Sequence, residues 1–496
     1  MQAQRALLTG LFLVAGINIG NSSAADRIDL FTEITLSESE PPADSLAVYD
    51  SAVNITGLAG MPDFVAVRIP RADGVLTASV RTERMDRREG FGERDLWACM
   101  RGDPTGCEII PYPGFPSELF SYTWIGQGDG YDLRLTIHHG HAVGVLSGPR
   151  GRFGIAWRQV KELRVDYFHM DDDFDSDGDV LVEPTSASKV PVLSSAAAQS
   201  ATLTRIEPQQ LGPASAGNTQ LDLLFLFTEE ARRQAGGDPN DCRDTNGVMA
   251  GIYQRVNDMN TAFSRSQIPA QIGVATVTKL YGYTLIPYNG DPFTSTLVNR
   301  ANITGNTNIK AFRNAIGADA VSVLFDTQTN LGVCGVANVQ RHGCTYPVPT
   351  AGCDVGPSFS EWTYDLDTIE CTVVDVPTHE LGHVLGAEHH YTGGGIPRPT
   401  ASFPYSYGYG YGSGPPDGFE TIMSQRFDPN YFPVRLLQFS NPSVQYMGRP
   451  TGVADTADNA HTLRNLLPGT AAFRNRPERI FADGFDANNP CPGIIY

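Results

Sequence analysis

Apolar and polar positions change rhythm twice along this chain. From residue 26 to about 185, short alternating runs recur between Gly and Pro positions, among them Phe64-Val65-Ala66-Val67-Arg68-Ile69 and Leu133-Arg134-Leu135-Thr136-Ile137. A period of two puts successive side chains on opposite faces of a half-buried strand, so residues 26–185 predict a β-rich domain. Residues 186–218 lose the period and are rich in Ser, Ala, Pro and Gln. Such a stretch reads as an exposed linker, open to proteolytic processing. The rhythm changes again at Leu221-Asp222-Leu223-Leu224-Phe225-Leu226-Phe227, a nearly continuous apolar run suited to a buried central strand. Ile252, Val256, Met259 and Phe263 then repeat at helical spacing within about 248–264. A strand around 272–280, a helix at about 308–316 and the apolar run Ala320–Phe325 follow. Strand, helix, strand, helix, strand predicts an α/β (α+β) domain, a mixed twisted sheet with helices packed on it, over 219–476. A helix at 458–467 lies near its end, and residues 477–496 form a tail without an assigned role.

Residues 1–25 add a destination. Arg5 precedes the apolar run Ala6–Gly16, and Ser23, Ala24 and Ala25 offer a cleavage site before Asp26. The run is short for a membrane span and no later stretch of about 18 apolar residues follows, so a secreted protein without a membrane anchor is expected. Hydrophobic content of 41% and charged content of 18% suit a globular chain. The net charge of -19, with no basic run, argues against nucleic-acid binding. Eight cysteines (Cys99, Cys107, Cys242, Cys334, Cys344, Cys353, Cys371, Cys491) with no C-x-x-C pair suit disulfides in an oxidising compartment. Their pairing stays open, although Cys99 and Cys107 are close enough to close a small loop.

Three stretches carry candidate chemistry. Asp173-Phe174-Asp175-Ser176-Asp177-Gly178-Asp179 resembles the first half of a calcium loop, with Asp173, Asp175, Asp177 and Asp179 as carboxylate ligands. The twelfth loop position, where a bidentate Glu is needed, is Pro184, and a solvated acidic linker is the alternative. His138-His139-Gly140-His141 reads more simply as a strand and turn than as a metal site. The third stretch is His379-Glu380-Leu381-Gly382-His383-Val384-Leu385-Gly386-Ala387-Glu388-His389. His379 and His383, four apart, share one face of a helix and can grip one zinc ion. Gly386 can end the helix so that the chain returns His389 as a third ligand. A fourth position is then open to water, as in catalytic rather than structural zinc sites. Glu380 lies beside the ion and can take a proton from water acidified by it. Asp375 as N-cap, with Pro377 in the first turn, gives a helix of about 376–385; otherwise a longer helix kinks at Pro377.

H-E-x-x-H-x-x-G-x-x-H is the metzincin zinc signature, and the chain resembles metzincin metalloproteases, most nearly the secreted reprolysin-like (adamalysin-type) branch. The resemblance implies a Met-turn at Thr421-Ile422-Met423-Ser424, with Met423 forming an apolar floor under the site. It also implies an edge strand at Cys334–Val339 that pairs with an extended substrate. Gln438–Pro442 and Thr451–Val453 resemble the closing segment of bacterial secreted members. His390 after the third histidine and Gln425 two residues after the Met depart from several branches. The residues around Cys99 do not match the usual cysteine-switch motif. The implied protein is a secreted zinc metalloendopeptidase acting on proteins or peptides and made as a zymogen. Its domain over 26–185 would be a propeptide acting as intramolecular inhibitor. The alternative is a secreted binding or adhesion module with a structural zinc, against which Glu380 argues, since a structural site needs no general base.

Overall fold

The computed structural model describes residues 27–36, 47–87, 99–100, 121–168, 219–237, 244–280, 306–325, 335–340, 364–368, 375–390, 401–412, 418–424, 434–474 and 483–485, with a few one- and two-residue breaks inside them. Residues 1–25, the linker 186–218, the acidic stretch Asp173–Asp179 and every cysteine except the backbone of Cys99 lie outside these. The expectations placed on a signal, a calcium loop and disulfides therefore concern residues beyond the described ones.

The N-terminal strands are β1 (Arg27–Asp29), β2 (Phe31–Leu36), β3 (Ala47–Val53), β4 (Phe64–Arg71), β5 (Gly74–Arg87), β6 (Ser121–Gly128), β7 (Tyr131–His138), β8 (His141–Gly148), β9 (Gly151–Gln159) and β10 (Glu162–Phe168). They form one ten-stranded sheet in the order β1-β4-β5-β6-β7-β8-β9-β10-β3-β2. Its outermost strands, β1 and β2, are consecutive in the chain with only Leu30 between them, so the sheet curls until its edges meet. Leu30 joins them: its N–H donates to Ala66 at 2.8 Å and its carbonyl accepts from Asn54 at 2.8 Å. A barrel has no free edges. Val65, Val67, Ile69, Leu133, Leu135 and Ile137 fill its core, as the alternating pattern predicts. Arg134 and Thr136, on the opposite face of β7, are also buried, at 1% exposure each. Alternation alone gives no reason for that face to be buried.

The second sheet runs β12-β11-β13-β15-β14, made of β11 (Thr219–Phe227), β12 (Ala270–Lys279), β13 (Ala320–Phe325), β14 (Gly335–Ala337) and β15 (Tyr364–Thr368). All neighbours are parallel except β14, an antiparallel edge strand. Parallel neighbours need crossovers. Helix α2 (Asn246–Arg265) connects β11 to β12, and α3 (Thr307–Ile316) lies between β12 and β13. The mixed sheet and its helices follow the predicted order. The short helix α1 (Glu229–Gln234), capped by the Thr228 hydroxyl, and the polar strand β15 were not foreseen. The last helix, α5 (Asn459–Thr470), extends past the expected 467 and carries Pro468 within it.

Nearly all of α2 is buried because it packs on two sides. Ile252, Val256, Met259 and Phe263 enter the core of the second sheet. Its polar positions meet the barrel. Thr136 donates to Gln254 at 2.8 Å, and Arg265 clamps Asp132 at 2.7 and 3.1 Å. The His138 ring stands edge-on to Tyr253. Buried polar groups are costly unless paired, and here the pairs cross between the two units.

Candidate active site

The histidines sit on α4 (Val376–Val384) and the turn after it. Asp375 is its N-cap and Pro377 lies in the first turn, so the proline is accommodated without a kink. The helix stops because Gly386 adopts φ 87°, a left-handed conformation open to a residue without Cβ. The Gly386 N–H donates to the His383 carbonyl and Ala387 N–H to that of Gly382, both at 2.8 Å. This satisfies the last carbonyls of the helix and swings His389 back.

The Nε2 atoms of His379, His383 and His389 lie 3.1, 3.0 and 3.0 Å apart. All three side chains are buried. The other ring nitrogen of His379 meets the Ile422 carbonyl at 2.9 Å, and that of His383 meets the Ala387 carbonyl at 2.7 Å. A carbonyl only accepts, so each Nδ1 carries the proton and each Nε2 presents its lone pair. Three Nε2 atoms converging at this spacing fit one ion with ligand distances of about 2.0–2.1 Å, the range of zinc–imidazole bonds. Among the described residues this is the one grouping of His, Cys, Asp or Glu able to hold a metal. His138 and His141, at the facing ends of β7 and β8, do not join such a group.

Glu380 is fully buried one residue beyond the first histidine. The edge strand β14 lies against it, and a Cβ placed on Gly335 would run into Glu380 Oε1 and Val376. Glycine at 335 thus lets the strand approach the carboxylate. Met423 is buried beneath α4, where a Cβ on Gly382 would meet its sulfur. The 421–424 turn closes through Ser424 N–H to the Thr421 carbonyl at 2.8 Å and offers the Ile422 carbonyl to His379. Arg435 also donates to that carbonyl, at 2.8 Å. Nothing in the motif spacing marked Arg435, which lies far along the chain from the histidines.

At the other end of α4, Arg134 of the barrel reaches Asp375 at 2.7 Å and Asp258 of α2 at 2.9 Å. Burial works against its charge, but Asp258, Asp375 and Asp132 outweigh that and hold the guanidinium protonated.

Residues 217–433 match the family described as metallo-peptidase family M12. That stretch, which holds the three histidines and Glu380, is similar to metzincin-like zinc metallopeptidase domains. The peptidyl-Asp metalloendopeptidase of Stenotrophomonas maltophilia is 35% identical to this chain over 98 residues, 19% of this chain and 22% of that protein. The protein of the same name from Xanthomonas campestris is 35% identical over 96 residues, 19% of this chain and 21% of its own length. These matches therefore span about a fifth of each relative. Among solved structures, metalloproteinase-II from Bacteroides fragilis aligns over 83% of this chain and 95% of its own, with 11% identity and a TM-score of 0.36.

Proposed function

We propose that this protein is a secreted zinc-dependent metalloendopeptidase, made as a zymogen, in which His379, His383 and His389 hold the ion and Glu380 is the general base. The convergence of three Nε2 atoms within 3.1 Å of one another, with a buried carboxylate on the next residue, carries this reading. Zinc held there supplies a Lewis acid that polarises a peptide carbonyl and acidifies water. Glu380 takes the proton of the attacking water and passes it to the leaving amine. No Ser or Cys nucleophile is needed. The edge strand β14 pairs with an extended substrate through its main chain. Met423 keeps an apolar floor under α4 and supports the turn whose Ile422 carbonyl orients His379. The linker 186–218 is the processing site, and the domain before it restrains the enzyme until it is cut. Asp173, Asp175, Asp177 and Asp179 are proposed as a calcium site. Among the described residues no helix is long and apolar enough to cross a membrane. The names of the relatives make aspartate-containing peptides the first substrates to try.

The test is hydrolysis of a denatured protein and of aspartate-containing peptides by the chain cut within 186–218. It is run with and without a zinc chelator, beside Glu380→Ala. Cleavage that needs zinc and disappears in a variant still binding zinc supports the reading. A cut protein that binds zinc and cleaves nothing favours a binding module instead.

A further inference from the structure

We propose that Arg134, which lies outside the stretch matched by the metallopeptidase family, is a positioning residue for the zinc-site helix. Through it the N-terminal barrel sets the first turn of α4. The inference rests on reading the three histidines as a metal site, and does not require the protein to be a protease.

Asp375 combines two anomalies. Its backbone is left-handed, with φ 62° and ψ 18°, a conformation that a residue with a Cβ adopts only against steric resistance. It also occupies the N-cap, where an aspartate ordinarily accepts an N–H from the first turn, yet its side chain makes no such bond. The carboxylate is directed to Arg134 instead, 2.7 Å away, with both side chains at 1% exposure or less. The same Nη1 atom holds Asp258 at 2.9 Å. The guanidinium thus pins α4 to α2 across the barrel face.

The consequence reaches the first histidine through the backbone. The Asp375 carbonyl accepts the N–H of Thr378 at 3.1 Å and of His379 at 3.0 Å. The left-handed turn at 375 therefore fixes where the His379 main chain hangs, and Arg134 fixes the turn.

The test separates the left-handed turn from mere loss of charge. Full-length Asp375→Gly, Asp375→Ala, Arg134→Met, Arg134→Lys and the double variant Arg134→Met/Asp375→Gly are compared. Zinc affinity is measured by competition with a chromophoric chelator, beside apo-protein melting. Glycine accepts the left-handed backbone without help, whereas alanine neither accepts it nor binds Arg134. Asp375→Ala and Arg134→Met should each weaken zinc binding at least tenfold, with Arg134→Lys intermediate. Asp375→Gly should stay within about threefold of the unaltered protein, and adding it to Arg134→Met should restore most of the loss. Asp375→Gly falling as far as Asp375→Ala would overturn the proposal, as would unchanged zinc affinity in Arg134→Met. If Arg134→Met does not fold, the glycine–alanine contrast at 375 decides alone. If the unaltered protein hydrolyses nothing, the protease reading fails while the zinc series still judges this one.

Discussion

The two ends of the helix that carries His379 and His383 solve the same problem with different means. At each end the chain enters a left-handed conformation, φ 62° at Asp375 and φ 87° at Gly386. Gly386 does so locally, because it has no Cβ to clash, and the two N–H bonds that follow close the helix. Asp375 does so against its own side chain, with an ion pair to a residue 241 positions earlier. One end is written into a few consecutive residues and the other is assembled from two units of the molecule. The site is therefore stiff by sequence where it ends and stiff by docking where it begins.

The largest expected effect lies between the two ends and sets the scale for both. Glu380→Gln should lower the rate of peptide hydrolysis by about 10²–10⁴-fold, the usual contribution of a general base. Zinc content should stay unchanged, since Glu380 is proposed as a base and the three histidines as the ligands. A variant retaining a tenth or more of the rate would remove Glu380 from the mechanism. Next comes the self-sufficient end. Gly386→Ala imposes a Cβ on a left-handed residue and drives it toward Leu466, Ser402 and the Gln340 carbonyl. A loss of about 2–4 kcal/mol in urea unfolding of the zinc-loaded chain is expected. A loss under about 0.5 kcal/mol would show that residue 386 is less constrained than its partner at 375, inverting the comparison.

The same contrast explains what the sequence made legible. The candidate metal-site residues fall within eleven consecutive positions, and helical geometry plus one glycine suffices to bring His379, His383 and His389 together. The parallel strands β11 and β13 were visible because burial on both faces makes them continuously apolar. Strand β15, Tyr-Asp-Leu-Asp-Thr, was not, because its polar residues hide the period. Arg134 went unmarked for a definite reason. In an alternating strand a charged residue between Leu133 and Leu135 belongs to the solvent face, and only the docking of α2 turns that face into an interior. Arg435 escaped likewise, since its link to His379 passes through the Ile422 carbonyl and leaves no trace in spacing. Local constraints can be read from one stretch, whereas a contact between two domains needs both surfaces in place.

A smaller effect sharpens the role of the edge strand. Gly335→Ala puts a methyl group against Glu380 and Val376, so the strand or the carboxylate must shift by a fraction of an ångström. We expect a roughly 10–100-fold loss in kcat, on the scale of a misplaced catalytic group, with zinc affinity unchanged. Loss of zinc affinity in parallel would instead mean that the helix itself had moved, tying the strand to the same system as Asp375.

The smallest prediction uses an ion cluster built the opposite way to that of Arg134. Glu229, in the first turn of α1, bonds Arg232 at 2.8 and 3.0 Å and Arg233 at 2.9 Å, and also contacts Lys279. The two arginine partners are three and four residues away, and Glu229 is 24% exposed. Burial opposes its ionisation, but Arg232 and Lys279 outweigh it and bring the carboxyl down to about 2. A carboxyl depressed in the folded state stabilises above its unfolded value, about 4.3, and that contribution drains away as pH falls toward 2. Because water screens the cluster, Glu229→Gln should cost at most about 1 kcal/mol at pH 7. The difference from the unaltered protein should shrink between about pH 4.5 and 2. Urea unfolding of both proteins across that range measures it. If Glu229→Gln instead costs as much as Arg134→Met in the same assay, then local pairing is worth as much here as pairing between domains. The asymmetry between the two ends of α4 would then rest on glycine chemistry alone.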